Sequence, residues 1–248
     1  MKIIRSGVNS ILKSNIRKIN SYFKEENRKK AAAVYYRDYQ QKNPGNYFST
    51  QCFDYYKCIF IHIPKTAGLS VAKTLFGNYA SCHLDYDWFV KRFTQRTVDS
   101  YYKFTFVRNP WDRLASAYFF LKKGGINEND AAFSKKYLSD INSFEMFVMD
   151  WLTEEKTELY FHLKPQYAFI TSCKNRNDIK VDFVGRYETL EAGFKTIAGK
   201  IGLADAKLLK VNAANKNEIT CRDLYTTEMR EKVAKIYAHD IRLFDYSF

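Results

Sequence analysis

Two short segments of this chain combine residue types that grip anions. The first, Ile63-Pro64-Lys65-Thr66-Ala67-Gly68-Leu69-Ser70, closes a hydrophobic run and supplies one cation, two hydroxyls and two small residues. Ala67 and Gly68 let backbone amides approach a ligand. A helix entered at Ser70 turns its N-terminal amides toward the same place, which is how many phosphate sites are built. The second segment is Val107-Arg108-Asn109-Pro110, with Arg113 and Ser116 just beyond. Arg108 ends a hydrophobic run, and its guanidinium can hold a phosphate through two parallel hydrogen bonds. Ser116, about two helical turns further on, offers a hydroxyl. Arg113 reads as an exposed helical arginine that could join them. Together the segments describe a cradle for a nucleotide carrying phosphates at two separate places.

The elements that must hold these residues follow from periodicity. Lys57 to Ile63 reads as a buried strand stopped by Pro64, and Ser70 to Phe76 as a helix. Tyr102 to Val107 reads as a second strand, and Trp111 to Leu121 as a helix with Leu114, Ala115 and Tyr118 on one face. Val181 to Gly185 suggests a third strand, followed by a helix presenting Leu190, Phe194, Ile197 and Ile201. Strands alternating with helices predict an α/β fold, a P-loop-like three-layer αβα arrangement around a central parallel sheet. Ligands bind such sheets at the carboxyl ends of the strands, where Lys65 and Arg108 fall. The first segment departs from the Walker pattern, because Lys65 precedes the only glycine of the loop instead of following a second one. That order disfavours an ATP-using P-loop enzyme.

A length of 248 residues suits one sizeable catalytic domain, expected over 51–248, after a turn at Asn43-Pro44-Gly45. Residues 1–50 read as a basic helical extension, with Ile4, Val8, Ile11, Leu12, Ile19 and Phe23 near helical spacing. Such a stripe either lies on an anionic membrane surface or docks on the domain or another subunit. The balance of 40 Lys+Arg against 27 Asp+Glu biases the surface toward polyanions without choosing among them. Five scattered cysteines without a C-x-x-C pair favour neither a disulfide framework nor a zinc site. With no apolar stretch near about 18 residues and no signal-peptide core, the chain reads as cytoplasmic, possible contact with the inner face of the membrane coming from the basic helix.

The first segment resembles the 5′-phosphosulfate loop of sulfotransferases, and Val107 to Tyr118 resembles their 3′-phosphate motif. His162-Leu163-Lys164-Pro165-Gln166, the run from Val181 to Leu190 and the C-terminal stretch from Tyr225 to Tyr246 are similar to segments of carbohydrate sulfotransferases, the group acting on chondroitin and related glycans. The resemblance covers residues 57–248. It implies transfer of a sulfuryl group from 3′-phosphoadenosine 5′-phosphosulfate (PAPS) to an acceptor hydroxyl, on a carbohydrate such as an acidic polysaccharide or a lipid-linked sugar, with no metal demanded and no nucleic acid as partner. Lys65, Thr66, Ala67, Gly68, Leu69 and Ser70 would then hold the 5′ side, and Arg108 with Ser116 the 3′-phosphate. The acceptor needs a base, and a histidine suits proton removal near neutral pH. His83, between the two motifs where related enzymes carry their base, is preferred. His162 is the rival, with Asp85 or Asp87 as carboxylate alternatives, while His62 and His239 read as structural. Two other classes stay open: a nucleotide kinase using the Lys65 loop, and a non-catalytic polyanion binder driven by charge. Gly124-Gly125 and the polar run to Asp130 read as an exposed loop bordering the acceptor site.

Overall fold

A computed structural model of the chain describes residues 48–209 and 221–248. The basic amphipathic stretch and the Asn43-Pro44-Gly45 turn lie outside the described residues. Strands β1 (Cys58–Phe60), β2 (Tyr102–Val107) and β5 (Phe183–Arg186) form a parallel sheet in the order β1-β2-β5. A separate antiparallel pair joins β3 (Thr171–Ser172) to β4 (Asn175–Ile179). Around the sheet lie α1 (Gln51–Tyr56), α2 (Gly68–Phe76), α3 (Tyr86–Phe93), α4 (Gln95–Ser100), α5 (Pro110–Lys122), α6 (Glu128–Tyr137), α7 (Leu190–Lys200), α8 (Thr227–Ile236) and α9 (Ala238–Leu243). The expected mixed α/β fold, a central parallel sheet flanked by helices, is present.

β1 is shorter than the hydrophobic run that predicts it. The Ile61 amide still donates to Phe104 O at 3.0 Å, but Ile61 O accepts the Thr105 hydroxyl at 2.7 Å instead of a ladder amide. The chain thereby leaves the sheet at Ile61, still buried, and runs extended to Pro64. β5 starts at Phe183 and ends at Arg186; just before it, the Asp182 amide donates to Lys103 O at 2.8 Å and the Asp182 carboxylate accepts from Lys103 N at 2.7 Å. Phe60, Phe104 and Phe106 are fully buried between sheet and helices, each contributing about 1.5–3 kcal/mol by leaving water.

The two helices that follow β1 and β2 start for different reasons. α5 opens with Pro110 at its first turn and Asn109 as cap, the Asn109 side chain accepting from Trp111 N at 3.1 Å. α2 has no side-chain cap; it is entered from Ala67 in the left-handed conformation. Trp111, Leu114 and Tyr118 of α5 pack with Phe147, Met229 and Tyr237 in a second core, beside the one that surrounds the sheet.

One helical residue corrects expectation outright. Arg113 is not an exposed arginine but is 2% exposed, one of the largest fully buried side chains among the described residues. The run from Gly124 is also only partly a loop. Asp130 is fully buried, and α6 begins at Glu128, capped by Asn127, whose side chain accepts from Asp130 N at 3.0 Å.

Candidate active site

The loop after β1 is shaped by its own backbone. Lys65 and Ala67 have φ of 69° and 64°, left-handed values that non-glycine residues adopt at a cost. Between them Thr66 is fully buried, its hydroxyl donating to Ile63 O at 2.9 Å, so this side chain ties the turn together. The uncapped N-terminus of α2 leaves early amides facing the loop's concavity, an arrangement suited to an anion. Gly68 is required by close approach: a Cβ there would stand 1.9 Å from His62 Cδ2 and 2.1 Å from His62 Nε2. His62, 3% exposed, is thus the floor beneath the loop.

The turn after β2 lies against it. Arg108 Nη1 donates to Lys65 O at 3.4 Å, and the guanidinium stacks over the Tyr187 ring, 4.2 Å from its centroid. Arg108 Nε is buried with no partner among the described residues. The backbone of Arg108 is clamped at both ends by one side chain, its N–H donating to Gln166 Oε1 and its O accepting from Gln166 Nε2, each at 2.9 Å. Asn109 N donates to Glu188 Oε1 at 2.7 Å, and Asn109 Nδ2 to Ser247 O at 2.8 Å. Arg113 spans the two segments from below, donating to Pro64 O at 3.0 Å, Lys164 O at 2.8 Å and His162 O at 3.3 Å. Ser116, half-buried, lies one turn further along α5.

Three imidazoles complete the wall. The His83 ring is 4.5 Å from that of His62 and 5.4 Å from that of His162, and it stacks on Phe161 at 4.8 Å. His83 Nδ1 lies 3.1 Å from His62 O, which can only accept, so the proton sits on Nδ1 and Nε2 keeps its lone pair. His162 stacks beside Phe120 at 4.7 Å, and the Lys65 ammonium rests over the same Phe120 ring, 3.9 Å from its centroid. Burial, reinforced by the neighbouring imidazoles, holds His83 well below the usual histidine range and brings His62 down to about 3. Burial lowers His162 too, against the pull of Asp130. Lys65 is brought down to about 8 by burial and by Arg108, with Asp130 opposing. At neutral pH the site therefore offers an ammonium, a guanidinium and neutral imidazoles.

Comparison with protein families matches residues 50–247 to the Sulfotransferase family. The chain belongs to this family. It is therefore a sulfotransferase, and the turns after β1 and β2 lie within the matched residues. A protein of Archaeoglobus fulgidus described as uncharacterized is 31% identical over 129 residues, 51% of this chain and 90% of that protein. Carbohydrate sulfotransferase 11 of Rattus norvegicus and of Mus musculus are each 25% identical over 178 residues, 60% of this chain but 48% of theirs. The sulfotransferase thus spans about half the length of those two relatives. No solved structure matches it.

Most residues singled out from this sulfotransferase's sequence converge. Lys65, the loop from Thr66 to Ser70, Arg108, His83 and His162 surround one region at the carboxyl ends of β1 and β2. His239 stands apart, packed on Tyr167 at 4.2 Å. The two carboxylate alternatives are engaged elsewhere: Asp85 caps α3 by accepting from Trp88 N at 2.9 Å, and Asp87 accepts from Cys173 N at 2.7 Å. Glu188 holds two partners, accepting from Asn109 N at 2.7 Å and from the Tyr246 hydroxyl at 3.0 Å. Sequence reasoning missed Gln166 and Asp130. Gln166 stood inside a quoted motif and could have been suspected; Asp130 sat in a polar run and gave no signal. No group of His, Cys, Asp and Glu suited to a metal, and no helix long and apolar enough to cross a membrane, occurs among the described residues.

Proposed function

We propose that this sulfotransferase moves a sulfuryl group from PAPS to a hydroxyl of a carbohydrate acceptor, with His83 as general base. The observation that carries this reading is the 3.4 Å bond from Arg108 to Lys65 O, which sets two cationic grips side by side next to an imidazole whose Nε2 is free to accept a proton. PAPS bears charge at its 5′ and 3′ positions, and the residues fit such a donor. Arg108 Nε is buried without a partner among the described residues, and the Lys65 loop ends at a helix N-terminus with no side-chain cap.

Lys65 and the amides of the loop from Thr66 to Ser70 hold the 5′ side, and Arg108 with Ser116 the 3′-phosphate. The donor supplies an activated sulfate whose bridging oxygen leaves with the adenosine 3′,5′-bisphosphate product. The Lys65 ammonium neutralises charge growing on that oxygen. His83 Nε2 takes the proton of the attacking hydroxyl as its oxygen bonds to sulfur, a contribution of about 10²–10⁴ in rate. The rest of the catalysis is positioning and fixed charge. A sugar acceptor is favoured by similarity to the two proteins named carbohydrate sulfotransferase 11 and by the aromatic faces of Phe120, Tyr160 and Phe161 around His162; acidic polysaccharides and lipid-linked sugars are the candidates.

The test is incubation with sulfur-labelled PAPS and a panel of polysaccharides, alongside calorimetric binding of adenosine 3′,5′-bisphosphate. Lys65→Ala should abolish transfer, Arg108→Ala should mainly weaken bisphosphate binding, and His83→Ala should stop transfer while bisphosphate binding stays nearly intact. Normal turnover by His83→Ala would remove it as the base. Binding of ATP with magnesium but not of the bisphosphate would replace the whole reading with that of a nucleotide kinase.

A further inference from the structure

We infer that Asp130 is a positioning residue of the transfer site, holding the His162 imidazole with its proton on Nε2 and supplying the negative charge that faces Lys65. This deepens the sulfotransfer reading and rests on it for the role of Lys65. Asp130 is fully buried, although it closes a polar run on the surface. Its Oδ1 accepts from the Tyr160 hydroxyl at 2.6 Å and lies 3.5 Å from His162 Nε2, and its Oδ2 accepts from Ile126 N at 3.1 Å. Burial alone would push this carboxyl up. The contact with His162 and the bonds from Tyr160 and the Ile126 amide outweigh that and hold it below the usual carboxylate range.

A carboxylate can only accept, so His162 turns its N–H to it and keeps a lone pair on Nδ1. That Nδ1 is buried and has no partner among the described residues, in a side chain 6% exposed. An unpaired buried acceptor is a cost that a fold avoids unless something fills it in use. The His162 ring lies between His83 and Phe120, the ring that carries the Lys65 ammonium, so a hydroxyl entering this wall would satisfy the lone pair. The charged and titratable groups facing Lys65 are Arg108, Arg113, His162 and Asp130, and of these only Asp130 is negative.

The turn before α6 is built around this carboxylate. Gly125 has φ of 66°, and a Cβ there would stand 2.1 Å from Asp130 Cβ and 2.6 Å from Oδ2. Gly124 has nothing within 4 Å of such a Cβ, so the close approach belongs to Gly125.

Two measurements test the inference, neither needing the acceptor. The first is the tautomer of His162 in the wild-type protein, read from long-range proton–nitrogen NMR correlations. A neutral ring protonated on Nε2 is expected, and a proton on Nδ1 overturns the assignment. The second is calorimetric affinity for adenosine 3′,5′-bisphosphate across pH. In the wild type it should fall once pH passes about 8, as Lys65 loses its charge. In Asp130→Asn the fall should begin at lower pH, leaving binding several-fold weaker near pH 8 and almost unchanged near pH 6. Superimposable curves, or equal weakening at every pH, would show that Asp130 only supports the fold. If the wild type does not bind the bisphosphate at all, the donor reading fails, and the tautomer alone then decides the position of His162.

Discussion

The loop after β1 and the turn after β2 border the same proposed donor site but are built in opposite ways. The first is held from within: the Thr66 hydroxyl bonds Ile63 O three residues away, and two left-handed residues set the curve. The second is held from far along the chain, its backbone fixed by Gln166 at a separation of 58 residues, Glu188 at 79 and Ser247 at 138. A local site can be placed by a few residue choices. A distant one exists only once the whole domain has closed, so its arginine is in place only in the finished fold.

Breaking the long-range side should cost most. Arg113→Ala strips three carbonyl acceptors of their donor in the buried seam between the two segments. We expect a loss of about 3–5 kcal/mol, measured by chemical denaturation, together with loss of bisphosphate binding. A change within about 0.5 kcal/mol would mean that the seam relaxes or fills with water.

Acid should loosen the floor of the local side next. Folding lowers His62 from an ordinary 6.5 to about 3, so below pH 6.5 the unfolded chain takes up a proton that the folded one refuses. Stability is complete above that point and is lost progressively as pH falls toward 3, with His83 and His162 shifted in the same direction. Thermal melting at pH 7 and pH 4.5 should therefore differ clearly, and His62→Asn should flatten the dependence. An equal midpoint at both values would refute the buried neutral imidazole.

A smaller effect is expected from Gly68→Ala, which forces a methyl group into the His62 ring at a cost of about 1–3 kcal/mol. Because only the loop need shift, transfer should fall further than stability does. The mildest change, Glu188→Gln, keeps an acceptor for Asn109 N but removes the charge, and should weaken bisphosphate binding by about tenfold or less, near 1 kcal/mol. A larger loss would place Glu188 among the residues that contact the ligand.

The same contrast decides what could be read in advance. β2 runs from Tyr102 to Val107 as its alternation indicates, and α2 and α5 begin within two residues of their expected starts, because caps, proline and periodicity are local signals. Lys65 and Arg108 were legible for the same reason, each standing in a turn that follows a hydrophobic run. Arg113 was not: an arginine on a helix reads as solvated unless one knows that three carbonyls, from Pro64, His162 and Lys164, converge on it. Asp130 was hidden in the same manner, since a polar run gives no hint that Tyr160 and His162 will fold over it. β1 is shorter than its hydrophobic run because hydrophobicity records burial, and residues beyond Phe60 stay buried after leaving the ladder.

The left-handed pair at Lys65 and Ala67 has one more consequence. Those dihedrals are fixed when the polypeptide condenses, with the Thr66 hydroxyl, Arg108 and Arg113 bolting successive carbonyls of the curve in place. On the proposed reading, an arriving dianion meets a concavity already cast, and little of its attraction is consumed in taming a slack strand of backbone. Capture should accordingly be quick and nearly rigid, with the entropic toll levied once, at folding.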